Sequence, residues 1–261
     1  TKSKAGEEIE ITDQEKLAAT AIGKISCDDG AIGTGFLTDV TDYQGAETYP
    51  VISSVTHNFF DAGVSRGNCY FLPPGYEPVA GENPKGFLIE DITVGNRNVV
   101  DEGGNRAYKD GELAFGRLKG LRAKKVMSNF GRLKIYFSKG MHAKYLAESE
   151  LDFWIGSHVP ELNSSAIATN FKPLDMNRVQ DYKRRPNFWN KLFAHCGSFN
   201  GGGSGGPAMA RVTNSSPMVF GVNVGDTPKS GNAHDGHVGI QCDPENGIHN
   251  YGRIYTKEDE T

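Results

Sequence analysis

Short apolar and β-branched runs alternate along the chain with stretches rich in glycine, proline, asparagine and aspartate. Apolar residues seldom recur at the three-to-four-residue spacing of a helix. The pattern predicts strands over 18–26, over 35–38 after a turn at 30–34, and over 49–55. Further strands are expected over 69–72, 87–94 and 112–118, with long surface loops in 60–85 and a turn-rich segment at 101–111. After a plausible connection at 120–131 come strand-like runs at 133–137, 152–155, 165–171, 192–196, 207–212, 218–224 and 237–241. Only 142–151 and 175–182 read as helices. Many short strands punctuated by turns predict an all-β barrel or sandwich.

Composition agrees with this picture without adding much. The 261 residues suffice for one large or two small domains. A net charge of −4 gives no general attraction to nucleic acid or to an anionic membrane surface. No apolar run approaches the roughly 20 residues of a membrane span. The chain starts at Thr1 in a polar segment, which suggests that something was removed before it. Cys27, Cys69, Cys196 and Cys242 lack the paired spacing of a zinc site; two disulfides and free thiols both remain open. The basic cluster Arg178, Lys183, Arg184 and Arg185 reads as a solvated loop.

The candidate chemistry lies in Gly201-Gly202-Gly203-Ser204-Gly205-Gly206-Pro207. A nucleophilic serine needs an exposed hydroxyl and backbone N–H groups close to an incoming carbonyl, and glycines permit the tight turn that provides both. A flexible linker has similar composition. The same residues satisfy the Gly-x-Ser-x-Gly elbow of α/β-hydrolases, but that fold requires a helix directly after the serine, and here Pro207 leads into a strand. No Lys-Ser/Thr follows, as a phosphate-binding loop would require. Among the seven histidines (His57, His142, His158, His195, His234, His237 and His249), His57 closes a β-branched strand, where a base would be held rigidly yet face a cleft. Glu112, with Asp110 two residues before it, begins another strand and can supply the carboxylate that a base requires. A two-residue slip of that strand would present Asp110 on the same face, so both acids remain open. His234 and His237 read as a turn rather than as metal ligands.

Taken in order, these segments resemble the chymotrypsin-like (trypsin-fold) serine peptidases. Gly33-Thr34-Gly35-Phe36-Leu37 is similar to the family's early Gly-Ser/Thr-Gly-Phe strand, 51–57 to the strand delivering the histidine, and Glu112-Leu-Ala-Phe-Gly-Arg-Leu to the strand bearing the acid. Gly202-Gly203-Ser204-Gly205-Gly206-Pro207 resembles Gly-Asp-Ser-Gly-Gly-Pro. The run 219–225 is closest to the pocket strand of bacterial glutamyl-endopeptidase-like members. The resemblance spans roughly residues 18–245. It implies two six-stranded antiparallel β-barrels, over about 15–121 and 130–256, with the active site between them. It also implies a Ser204–His57–Glu112 triad, an oxyanion hole of the Gly202 and Ser204 N–H groups, and a specificity pocket touching Ser198, Asn223 and Gly225.

Three departures from the family pattern carry expectations. Glu112 stands where Asp is usual. Gly203 stands in place of the aspartate that pairs with a newly cut N-terminus in zymogen-activated relatives, so no such switch is expected. Asn58 follows the histidine where animal relatives often have cysteine, so a bracing disulfide should be missing there. The expected protein is a serine endopeptidase acting on protein or peptide, with no cofactor, no metal and no nucleic-acid partner, secreted or periplasmic by family habit. The alternative is a peptidase-fold binding module of weak or no activity. His195 reads as a hydrogen-bonded structural residue, with pocket lining as its other possible place.

Overall fold

The computed structural model describes residues 13–44, 47–61, 63–94, 113–139, 143–158, 166–184, 191–197, 202–211, 217–226, 243–247 and 249–260. Of the residues singled out above, Cys242, Asp110, Glu112, His142, Arg185, Ser198, Gly201, His234 and His237 lie outside these, as does the strand expected at 237–241. The first sheet contains β1 (Ile22–Cys27), β2 (Ile32–Gln44) and β3 (Glu47–Val55). The hairpin β4 (Phe60–Asp61) and β5 (Val64–Ser65) stands apart from it. The sheet is completed by β6 (Cys69–Leu72), β7 (Phe87–Leu88), β8 (Glu90–Val94) and β9 (Leu113–Arg117), in the order β7-β6-β1-β2-β3-β9-β8. The second sheet contains β10 (Lys134–Ile135), β11 (Asp152–His158), β12 (Ala166–Phe171), β13 (Leu192–His195), β14 (Pro207–Arg211), β15 (Met218–Asp226) and β16 (Asn250–Ile254). Its order is β12-β11-β14-β15-β16-β13, with β10 added to β15. The architecture is therefore all-β with two barrel-like sheets, as the strand pattern predicts. Among the described residues each sheet has seven strands, and their pairing is antiparallel except for β10 with β15.

The apolar runs of the second sheet are explained by burial on both faces. In β11, Trp154 joins the larger core, which includes Ile22, Phe36, Ile52 and Phe71 of the first sheet, whereas Phe153 and Ile155 face a second core with Phe171, Phe193 and Phe220. That second core is an aromatic cluster with ring centroids 5.3 Å apart for Phe193–Phe220 and 5.5 Å for Phe153–Phe220. A strand buried on both faces shows a continuous apolar run instead of alternation. The chain crosses between the sheets at 133–138: Leu133 N–H donates to Leu37 O (2.9 Å), Tyr136 N–H to Val219 O (2.8 Å) and Ser138 N–H to Tyr255 O (3.0 Å). The buried Tyr255 hydroxyl then meets Ser53 Oγ of β3 at 2.6 Å.

Several element boundaries differ from those expected. The run 18–26 is not one strand: α1 (Asp13–Ala19) precedes β1. Alanines favour the helix there, Leu17 is exposed, and Glu15 is buried against Arg211 through bonds of 2.6 and 2.9 Å. The turn at 30–34 is shorter, because β2 already begins at Ile32. The run 87–94 splits into β7 and β8, which pair with different neighbours. The connection 120–131 contains α2 (Leu121–Met127), which buries Ala123, Val126 and Met127. The expected helices are shorter: α3 spans Ala143–Glu148, and α4 spans Gln180–Arg184 after a 3-10 turn at Met176–Arg178.

Candidate active site

The His57 element is built first. β3 ends at Val55, and one 3-10 turn, Thr56–Asn58, carries the half-buried His57. Arg66 fixes this turn from outside: its Nε donates to His57 O at 2.9 Å while its Nη1 binds Asp29 Oδ2 at 2.7 Å. On the inner side, β9 pairs with β3 so that Leu113 lies opposite Val55, and Thr56 Oγ1 donates to Leu113 O (3.3 Å). The strand that follows Glu112 therefore starts beside the His57 turn.

The Ser204 element is a turn from Gly202 to Gly206 leading into β14. Gly206 N–H closes it onto Gly203 O at 3.2 Å. Gly205 has φ +89°, and a Cβ there would lie 2.2 Å from both Ser54 Oγ and Thr34 O. Glycine is required there twice over, by conformation and by space. The close approach arises because the first sheet grips this loop. Thr34 N–H and Asn58 Nδ2 both donate to Ser204 O at 2.9 Å, and Thr34 Oγ1 donates to Gly202 O at 2.7 Å. The same amide of Asn58 reaches Ser54 Oγ at 3.0 Å, and Ser54 Oγ donates to Thr34 O at 2.7 Å. Asn58, which stands where animal relatives often have cysteine, bonds directly to the residue carrying the candidate nucleophile.

The second sheet holds the other side. Asn223 of β15 is fully buried, and its backbone exchanges bonds of 2.8 Å with the loop, Gly205 N–H to Asn223 O and Asn223 N–H to Gly206 O. Its side chain donates from Nδ2 to Gly203 O (3.2 Å) and meets His195 Nε2 through Oδ1 (3.1 Å). The Asn223 side chain, expected to touch substrate, is therefore engaged inside the protein, whereas at Gly225 an added Cβ would meet nothing within 4 Å. His195 is hydrogen-bonded and fully buried, as its structural reading anticipates, and burial pushes its pKa down to about 3. His158, at the end of β11, is also buried; desolvation, with Lys24 adding repulsion, lowers its pKa to about 4. Its backbone N–H donates to Thr34 Oγ1 at 3.1 Å.

Gly202 and Ser204 thus belong to one hydrogen-bonded assembly with Thr34, Ser54 and Asn58, the residue next to His57, and motif reading did not single out these three for this role. Their signal in the sequence was only adjacency: Thr34 in the Gly-Thr-Gly run and Asn58 next to His57. The cysteine alternatives are resolved among the described residues: Cys27 pairs with Cys69, Cys196 is also disulfide-bonded, and none is free. No group of three or more metal-ligating side chains occurs among the described residues.

No protein-family model and no curated protein matches the chain. Among solved structures, it is similar to the protease Anisep from Arthrobacter nicotinovorans, with a TM-score of 0.56 and 16% identity over 92% of this chain and 91% of that one. It is also similar to the thermostable serine protease AL20 from an extremophilic microorganism, with a TM-score of 0.54 and 15% identity over 92% and 93% of the two chains. At such identities the likeness concerns the fold. The His57 turn and the Ser204 loop accordingly stand within a fold like that of these two proteases.

Proposed function

We propose that this chain is a serine endopeptidase. The observation that carries the reading is the bond from Asn58 to Ser204 O, which joins the His57 turn to the Ser204 loop across 146 residues of sequence. Ser204 Oγ attacks the scissile carbonyl, and His57 accepts the hydroxyl proton and returns it to the leaving amine. Water then hydrolyses the acyl-enzyme with His57 again as base. Glu112 holds the imidazole in the required tautomer, and the N–H groups of Gly202 and Ser204 receive the oxyanion. Gly225, with open space beside it, lines the pocket for the substrate side chain. Disulfide-bonded Cys27, Cys69 and Cys196 favour an oxidising compartment, consistent with a secreted or periplasmic protein.

The test is labelling with a serine-directed fluorophosphonate. Wild-type protein should be labelled, and Ser204→Ala and His57→Ala should not. Glu112→Gln should lower the labelling rate by about 10³-fold or more, and Asp110→Asn should leave it nearly unchanged. An unlabelled wild type, beside a labelled control protease, would remove the enzyme reading and leave a binding module of the same fold. A large loss only in Asp110→Asn would move the acid to that residue.

A further inference from the structure

The proposed oxyanion hole needs the Ser204 N–H to point into the cleft, and within the Gly202–Gly206 turn a single bond, Gly206 N–H to Gly203 O, bears on that. The peptide joining Gly203 to Ser204 is a rigid plane in which the Gly203 carbonyl and the Ser204 N–H point in opposite directions. Whatever fixes the carbonyl fixes the N–H. Gly203 O accepts two hydrogen bonds, from Gly206 N–H within the turn and from Asn223 Nδ2, both 3.2 Å. Gly203 has no side chain to contribute, and the residue is buried.

Asn223 is itself held in one orientation. An asparagine side chain can rotate its amide by half a turn, which would set its Oδ1 against Gly203 O and push that carbonyl away. His195 prevents this. Gly197 N–H donates to His195 Nδ1 at 3.1 Å, so Nδ1 is the unprotonated nitrogen. Nε2 then bears the hydrogen and donates to Asn223 Oδ1 at 3.1 Å. With Oδ1 assigned to the imidazole, Nδ2 must face Gly203 O. All three side-chain contacts lie in the interior, where Asn223 and His195 are both fully buried and water does not compete.

We infer that Asn223, oriented by His195, is a positioning residue that turns the Gly203–Ser204 peptide so that the Ser204 N–H faces the substrate oxyanion. This rests on the reading of Ser204 as the nucleophile. It takes over the work of an aspartate at position 203: the loop is ordered by an internal relay of Gly197, His195 and Asn223.

The experiment compares hydrolysis of 4-nitrophenyl acetate with that of its thiono analogue, in which sulfur replaces the carbonyl oxygen. Backbone N–H donors stabilise a developing oxyanion far better than a thiolate-like sulfur anion, so the ratio of the two kcat/KM values reports the oxyanion hole itself. Wild type should favour the oxo ester. Asn223→Leu, of similar size but without a donor, should lower kcat/KM for the oxo ester by about 10-fold to 100-fold, mainly through kcat, with little change for the thiono ester. His195→Phe, which frees the amide to rotate, should give a smaller collapse of the same ratio. If Asn223→Leu does not fold, His195→Phe and Asn223→Ser, the latter restoring a shorter donor, decide: Phe should lower the ratio, and Ser should lie nearer the wild type than Phe. Equal losses for both esters, or an unchanged ratio, would overturn the inference. A wild type that hydrolyses neither ester and resists the fluorophosphonate would overturn the nucleophile reading beneath it.

Discussion

The interiors of the two sheets are polar in different ways. In the first, the buried polar side chains are mostly small hydroxyls, Thr34, Thr38, Ser53, Ser54 and Thr56, which donate to nearby carbonyls. In the second, apart from Ser157, those among the described residues are large: His158, His195, Asn223, His249, Asn250 and Arg253. A hydroxyl rotates to suit one acceptor and makes little demand on its neighbours. An amide, imidazole or guanidinium presents several polar atoms in fixed geometry, so each must be matched and each orients the next. The first sheet therefore supplies mostly adaptable clamps on the Ser204 loop, with the Asn58 amide as its one fixed member, whereas the second supplies a network with one satisfactory arrangement.

The sharpest way to break this contrast is to remove one large group. Arg253 is fully buried and grips Asp259 with two bonds, Nη2 to Oδ1 at 2.8 Å and Nη1 to Oδ2 at 3.1 Å, and its Nη1 also donates to Ile254 O. Arg253→Met should cost about 3–5 kcal/mol in urea unfolding, because Asp259 loses its cation. A loss below about 1 kcal/mol would place Arg253 with the adaptable groups.

Acid separates the sheets next. Hydroxyls do not titrate in this range, but His158 and His195 have folded pKa values near 4 and 3, below the ordinary 6.5. Their unfolded forms bind protons first as pH falls. Stability is therefore complete above about 6.5 and is lost as pH drops toward 4, at about 1–3 kcal/mol per pH unit for the two together. His158→Phe should flatten that slope. A slope unaltered in His158→Phe and His195→Phe would assign acid sensitivity elsewhere.

The smallest effects should come from the first sheet's clamps. Asn58→Ala leaves Ser204 O with one donor instead of two and should cost about 1–2 kcal/mol of stability with a larger fractional loss of kcat. Ser54→Ala should cost about 1 kcal/mol or less and leave activity within a few-fold. If Ser54→Ala proved the more damaging to kcat, the hydroxyls would be doing the orienting.

How far the sequence revealed this molecule also divides by sheet. The strand ending at His57 and the glycine turn at Ser204 were legible because each is a local pattern with a chemical reason. β16, which lies between β15 and β13, was not expected: the polar Asn250 and Arg253 break its apolar pattern, and the bonds that bury them, to Gly197 and Asp259, are not visible in the sequence. α2 was hidden by its shortness and by the glycines flanking it. Of the candidate site, His57 and Ser204 were visible as types, whereas the bonds through Asn58 and Asn223 join residues 146 and 20 positions apart and have no periodicity to betray them.

The clamp on the Ser204 loop has a consequence for biogenesis. Thr34 and Gly202 are separated by 168 residues, and Asn58 and Ser204 by 146, so neither half of the chain can assemble this constellation alone. Loop closure over such distances comes late in folding. The proposed enzymatic competence would then be the final event of maturation: a nascent or truncated chain would stay inert, and recovery of turnover on renaturation would time the docking of one half onto the other, not the formation of either.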